Sequence, residues 1–163
     1  LEHANIRYRP DPDDLTRWEL RGKERSRGIE LSALGRLHPQ WYIRGSLGLM
    51  SAKVLEDKAS PEREGNHLQN TSDINGNLFL RYVARPWFAE AGVTHIGERY
   101  YYTAKNVEQN ISGFTRWDAM VGYTASDWTF TGAIQNIFDK QYWRSNDMPG
   151  TPLAIMLKAS YKF

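Results

Sequence analysis

The chain has 163 residues, enough for one domain with a full core and too few to make two comfortably. Its 21 basic and 19 acidic residues give a net charge of +2 with neither sign gathered into a block, so the basic stripe that a nucleic-acid partner needs is missing. Cysteine is absent, which rules out disulfides and thiolate metal sites, and no run of about 18 apolar residues occurs, which rules out a transmembrane helix.

Leu1 is not an initiator methionine, and "LEHANIRYRPDPDD" has neither the basic leader nor the apolar stretch of a signal peptide. The expectation is a removed leader or a longer parent chain. Residues 2 to 9 read as a first strand, followed by a long one from about Leu15 to Leu37. Within it Ile29, Leu31, Ala33, Gly35 and Leu37 alternate with Glu30, Ser32, Leu34 and Arg36, the period-two signature of a two-faced strand. "HPQ" at 38 to 40 makes a tight turn. Trp41, Ile43, Gly45, Leu47 and Leu49 then face away from Arg44, Ser46, Gly48 and Met50, completing a hairpin. The stretch from Glu56 to Gly76 is polar, aperiodic and too long for an ordinary hairpin loop.

"NLFLRYVAR" and "WFAEAGVTHIGERYYY" follow as strands joined at Pro86, with a second loop over residues 103 to 113. "FTRWDAMVGYTA" and "WTFTGAIQNIF" pair across Ser126-Asp127, and a third loop, "DKQYWRSNDMPGT", leads to the closing strand. That strand, "LAIMLKASYKF", sets Leu153, Ile155, Leu157, Ala159, Tyr161 and Phe163 against Ala154, Met156, Lys158, Ser160 and Lys162. It is about as long as a tilted strand needs to cross a bilayer.

Eight strands are expected, with connections alternating long and short. In a membrane barrel the short turns are periplasmic and the long loops external, which puts Phe163 at the periplasmic rim. Trp41, Trp87, Trp128, Tyr161 and Phe163 fall beside short turns or the terminus. Tyr100, Tyr101, Tyr102, Tyr142 and Trp143 fall beside long loops, predicting two interfacial aromatic belts. One face carries Leu, Ile, Val, Ala and Gly; the other holds Glu30, Arg36, Arg44, Arg81, Glu90, Arg116, Asp118 and Lys158 and invites inward ion pairs. A soluble β-barrel or sandwich would show the same alternation. Belts, loop asymmetry and an aromatic terminus together favour the membrane version.

Chemistry is sparse. His3, His38, His67 and His95 lack ligand spacing, so no protein-built metal site is expected. "DPDD" at 11 to 14 and "SDIN" at 72 to 75 could offer oxygens to calcium but fit no EF-hand register, and a solvated loop is the simpler reading. Asp139 and Lys140 read as a local pair that fixes a loop. No nucleophile elbow, Walker loop or paired carboxylates appear; catalytic residues are expected to be none, and the protein is not expected to be an enzyme.

"RSRGIELSALGRLHPQWYIRGSLG", "ISGFTRWDAMVGY", "TGAIQNIFDKQYW" and "PGTPLAIMLKASYKF", in this order and spacing, resemble the last part of a TonB-dependent outer-membrane receptor of the ferric-siderophore type. The resemblance covers about residues 17 to 163, and "NIFDKQY" with the terminal "YKF" is its most specific part. Ser112, Gly113 and Phe114 stand where members often carry Pro-Gly-Tyr, and Gly150, Thr151, Pro152 and Leu153 where they often carry Gly-x-Pro-Arg. The resemblance implies an all-β, antiparallel transmembrane β-barrel of 22 strands, of which residues 1–163 are about the last eight, with the plug domain outside this segment. It implies a multi-pass protein of the bacterial outer membrane, and as partners outer-membrane lipid, a ferric siderophore, TonB through an N-terminal part, and the barrel-assembly machinery. Tyr161 and Phe163 resemble the terminal signal that machinery reads, and Phe163 also suits a rim anchor. No resident cofactor is implied; the ferric siderophore is cargo. Arg99, Tyr100, Tyr101, Tyr102, Tyr142, Trp143 and Arg144 put rings and cations at loop mouths, which suits a bulky iron chelate and equally suits an outer belt. Two rivals remain: an independent eight-stranded barrel acting as an adhesin or structural protein, and a lipid-modifying enzyme on such a barrel.

Overall fold

Segments that alternate by twos can satisfy their backbone groups only against neighbouring strands, and this chain does so by meandering. The computed structural model describes residues 2–10, 16, 18–58 and 60–163. Its strands are β1 (Glu2–Pro10), β2 (Trp18–His38), β3 (Trp41–Glu56), β4 (Ile74–Ala84), β5 (Trp87–Ile96), β6 (Arg99–Tyr102), β7 (Glu108–Ile111), β8 (Phe114–Ala125), β9 (Trp128–Gln135) and β10 (Ala154–Tyr161). Eight of them form one antiparallel sheet in the order β1-β2-β3-β4-β5-β8-β9-β10, matching the expected count, while β6 and β7 make a separate two-stranded sheet. Among the described residues β1 and β10 do not pair, so the sheet is open at both edges.

Register carries the two-faced pattern unbroken across the sheet. One row of partners runs Gly35, Ile43, Leu80, Ala91, Ala119, Ile134 and Ile155. The next row, one residue along and on the opposite face, runs Arg36, Tyr42, Arg81, Glu90, Met120, Ala133 and Met156. A one-residue slip in any strand would exchange these faces, so register is tightly specified. No second layer covers the apolar side among the described residues: Leu31 is 62% exposed, Ile155 68% and Leu157 85%. A continuous apolar surface of this extent belongs against hydrocarbon, and it removes the sandwich reading, which needs a facing sheet.

At the short-turn end, each strand that leaves a turn starts with tryptophan, and a tyrosine of the neighbouring strand lies beside it. The ring centroids are 5.0 Å apart for Trp41 and Tyr82, 4.6 Å for Trp87 and Tyr123, and 5.0 Å for Trp128 and Tyr161. Phe163 extends this row edge-on to Tyr161. This is an interfacial belt, and Tyr82 and Tyr123 join the residues expected in it.

The opposite face holds all eight charged residues assigned to it. Arg44 bridges over β4 to Glu90 at 2.9 Å, and Arg116 pairs with Asp118 at 3.0 Å. Two phenylalanines here lie flat against glycines. A Cβ on Gly92 would sit 2.1 Å from the Phe79 ring, and one on Gly122 would sit 1.9 Å from Phe88. Guanidinium groups cover the same two rings, Arg44 over Phe79 at 3.9 Å and Arg81 over Phe88 at 4.4 Å. The sheet wall stays thin there because the rings use the space that glycine leaves.

Two expectations need correction. The stretch expected as one strand from Trp87 to Tyr102 ends at Ile96, and Arg99–Tyr102 turns out of the main sheet to pair with β7. Gly97 makes the break. A Cβ there would meet Ile74 Cγ2 at 2.7 Å and Ser72 Oγ at 3.0 Å, so the chain crosses tightly over the start of β4. The second loop therefore spans residues 97 to 113. The upper belt also dissolves in part, because Tyr100, Tyr102 and Tyr142 pack into the loops. Residues 11 to 14, with their acidic run, lie outside the described residues.

Candidate functional site

The three long connections, residues 57–73, 97–113 and 136–153, rise from one end of the sheet and contact one another. Most of the true interior of the described chain lies here or at the strand ends beneath. Ala52, Val54, Ile111 and Phe114 are the buried apolar residues, and Asp57, Ser60, Ser72, Arg99 and Asn136 the buried polar ones. Buried polar groups require partners, and those partners define the loop geometry.

Asn136 organises the third loop. It is fully buried with φ +53°, a backbone region that asparagine tolerates better than most side chains. Its Nδ2 donates to the carbonyls of Lys140 (3.0 Å) and Thr151 (2.9 Å), its Oδ1 accepts from the Lys140 amide (2.9 Å), and its own amide donates to Asp118 Oδ1 (2.9 Å). Asp139 Oδ1 accepts from the Leu153 amide at 2.8 Å. The loop is thus pinned as expected of this segment, but through backbone contacts of Asn136 and Asp139; Asp139 and Lys140 form no ion pair with each other.

A column of side chains descends inward from this loop. The Tyr142 ring stacks on Phe114 at 3.9 Å, and its hydroxyl accepts from Arg116 Nη1 at 3.2 Å and from the Thr151 amide at 3.3 Å. Gly150 is required beside it, since a Cβ would lie 2.4 Å from the tyrosine ring. Arg99, 7% exposed, lies over the Phe114 ring at 5.8 Å and donates to the carbonyls of Trp143 and Arg144. Burial pulls its guanidinium below the ordinary arginine value.

A second cluster joins the first and second loops. His67 stacks on Tyr100 with ring centroids 3.8 Å apart and nearly parallel planes. The His67 amide donates to Glu108 Oε2 at 2.7 Å, its Nε2 lies 3.7 Å from Asp73, and the Tyr102 hydroxyl donates to the His67 carbonyl at 2.5 Å. Arg63 covers the Tyr102 ring at 4.5 Å. Burial first, then the charges of Asp73, Glu98 and Glu108, push the Tyr100 phenol above its ordinary value.

The seven ring and cation candidates therefore divide. Arg99, Tyr100, Tyr102 and Tyr142 are spent on holding loops together. Tyr101 is half-buried, while Trp143 (52% exposed) and Arg144 stand outward and are available to a ligand. Trp143 borders a cleft of about 550 Å³ whose walls include Ser112, Asp139, Lys140, Gln141, Tyr142 and Pro149. Nothing in the sequence marks Lys140 or Gln141 as a binder, although both lie in the "NIFDKQY" stretch. Asp73 of the "SDIN" stretch faces His67 and Ser72 Oγ donates to the Ile74 carbonyl, so those oxygens are engaged within the protein. Among the described residues no group of three or more His, Asp or Glu is placed to hold a metal ion.

Comparison with known proteins places this architecture. Residues 5–137 match the family model described as TonB dependent receptor-like, beta-barrel. The chain is 24% identical to the catecholate siderophore receptor Fiu of Escherichia coli K12, over all of this chain and 23% of that protein. It superimposes on the closed-form crystal structure of Fiu, the ferric-catecholate import receptor, with a TM-score of 0.80 at 23% identity, covering 97% of this chain and 23% of that one. The siderophore receptor PiuA of Acinetobacter baumannii gives 0.75 at 20% identity, covering 97% and 24%. The pyoverdine receptor FpvA of Pseudomonas aeruginosa, in complex with pyoverdine, gives 0.77 at 16% identity, covering 94% and 24%. The chain thus spans about a quarter of the length of the relatives it matches.

Proposed function

Since this chain belongs to the TonB-dependent receptor-like β-barrel family and forms part of a bacterial outer-membrane barrel, we propose that it is the wall and loop segment of a receptor that imports ferric siderophores. The observation that carries the reading is the pairing of a lipid-facing sheet with a ring-and-cation cleft at its long-loop end, in a chain whose matched relatives are siderophore receptors. Iron enters as cargo held by its chelator, and the protein binds and translocates it without covalent chemistry or a resident cofactor. Energy comes from TonB, acting through parts of the receptor beyond this segment.

The exposed side chains suit an anionic aromatic chelate. A ferric tris-catecholate carries net negative charge and flat ring faces, for which the Trp143 indole and the Lys140 and Arg144 cations are complementary. A ferric tris-hydroxamate has neither feature. Tyr161, about half exposed, and Phe163, fully exposed, both at the short-turn rim, would be read by the barrel-assembly machinery and then seat the last strand at the lipid interface. The rival eight-stranded barrel is not favoured, because among the described residues β1 and β10 do not close on each other.

The test is iron uptake by cells whose only siderophore receptor is the full-length protein carrying this chain. Radiolabelled iron supplied as a tris-catecholate enters, and collapse of the proton-motive force stops it. Replacing Lys140, Trp143 and Arg144 together by alanine weakens tris-catecholate binding about tenfold or more at unchanged receptor level. Uptake equal to that of receptor-free cells would refute the reading.

A further inference from the structure

Three loops leave the sheet at the same end, and one residue touches all of them. Arg99 belongs to β6, in the loop of residues 97–113. Its backbone bridges Ser72 in the loop of residues 57–73, and next to it the Tyr100 carbonyl accepts from the Asn70 amide at 2.7 Å. Its guanidinium donates to the Trp143 and Arg144 carbonyls in the loop of residues 136–153. The same group lies over Phe114, where β8 begins and on which Tyr142 also stacks.

The physics of this contact is cooperative. Arg99 is buried, forms no ion pair among the described residues, and keeps its charge solvated by two backbone carbonyls. If the third loop lifts, a buried cation loses its acceptors, which costs far more than an exposed contact. If β6 swings out to follow water, the bridge to Ser72 and the bond to Asn70 break with it. Local openings that would each be cheap in an ordinary loop are therefore linked.

We infer that Arg99 locks the three long loops into a single cooperative unit that opens and closes together. The residue sets the position of Trp143 and Arg144, and hence of the cleft; its importance for cargo rests on the transport reading above, while the linkage of the loops does not.

Hydrogen exchange followed by mass spectrometry on the full-length receptor in lipid nanodiscs, without ligand, tests the linkage. Arg99→Gln accelerates exchange about tenfold or more in peptides covering residues 66–72, 99–103 and 143–150 alike, and leaves β8 and β9 unchanged. Arg99→Lys, which keeps the charge but not the two-pronged donor, restores part of the protection in all three. Tyr142→Phe, which removes bonds to Thr151 in the third loop and to Arg116 on β8 but none to the other two loops, accelerates residues 143–150 alone among the three loop peptides. Acceleration by Arg99→Gln confined to residues 143–150, or no change anywhere, overturns the inference. Should Arg99→Gln fail to assemble, the wild-type protein under conditions where opening limits exchange decides: one common opening rate for the three peptides supports the unit, and three different rates refute it. Because no siderophore is present, failure here leaves the transport proposal standing, and failure of uptake leaves the loop unit standing.

Discussion

In the eight-stranded sheet, Leu157 and Ile155 are largely exposed and every charged side chain assigned to the opposite face points there; in the loop cluster, the buried side chains include Asn136, Arg99, Asp57, Ser60 and Ser72. The first region has apolar groups on its outside and, among the described residues, no apolar core away from the strand ends beneath the loops. The second has an interior built mostly from polar groups. The difference follows from the surroundings. Lipid supplies the apolar contact that a core supplies elsewhere, so the sheet needs only a consistent face and satisfied backbone bonds. Loops in water have too little apolar mass to collapse, and they gain order from hydrogen-bonded side chains whose loss would strand buried partners.

This contrast can be broken from either side. The strongest perturbation expected is Asn136→Ala, which leaves the Lys140 and Thr151 carbonyls and the Lys140 amide without their partner and puts alanine at positive φ. A loss of about 4 kcal/mol from the third loop is predicted, with β8 and β9 intact, and amide exchange over residues 137–153 measures it. Next comes Leu78→Arg on the lipid side, predicted to cost about 2–4 kcal/mol near mid-membrane, whereas Ala133→Arg on the opposite face costs less than about 1 kcal/mol. Denaturant titration of the receptor refolded into bilayers distinguishes the two, and equal penalties would contradict the assignment of faces. The smallest effect belongs to Arg44 and Glu90, whose side chains are 52% and 13% exposed. A double-mutant cycle with alanine should return a coupling of about 0.2–1 kcal/mol, because the arginine end is solvated.

The sheet was legible in the sequence because period-two alternation reports a face directly, and Trp41, Trp87 and Trp128 each mark where a short turn ends. The same habit misread Arg99 to Tyr102. Those residues follow their predecessors without a break in the pattern, but Gly97 and the bridge from Arg99 back to Ser72 in the preceding loop redirect them, and no local pattern reveals a tertiary bridge. The cleft was legible only as composition. Rings and arginines at loop mouths look alike whether they bind ligand or brace the protein. Separating Trp143 and Arg144 from Tyr142 and Arg99 required knowing which donors are already used. Asn136, the best-satisfied side chain of the third loop, was visible only inside the quoted "NIFDKQY" motif, since a lone asparagine at a strand end carries no signal by itself.

Contact between the outward row and hydrocarbon underlies both the assignment of faces and the transport reading. Spin labels placed singly at Leu47, Leu78 and Leu157, and at their neighbours Ser46, Asn77 and Lys158, in the full-length receptor in liposomes, report access to oxygen and to a water-soluble nickel chelate. The predicted result is alternation: high oxygen and low nickel access at the three leucines, and the reverse at their neighbours. Nickel access at Leu47 and Leu157 equal to that at Ser46 and Lys158 would contradict it.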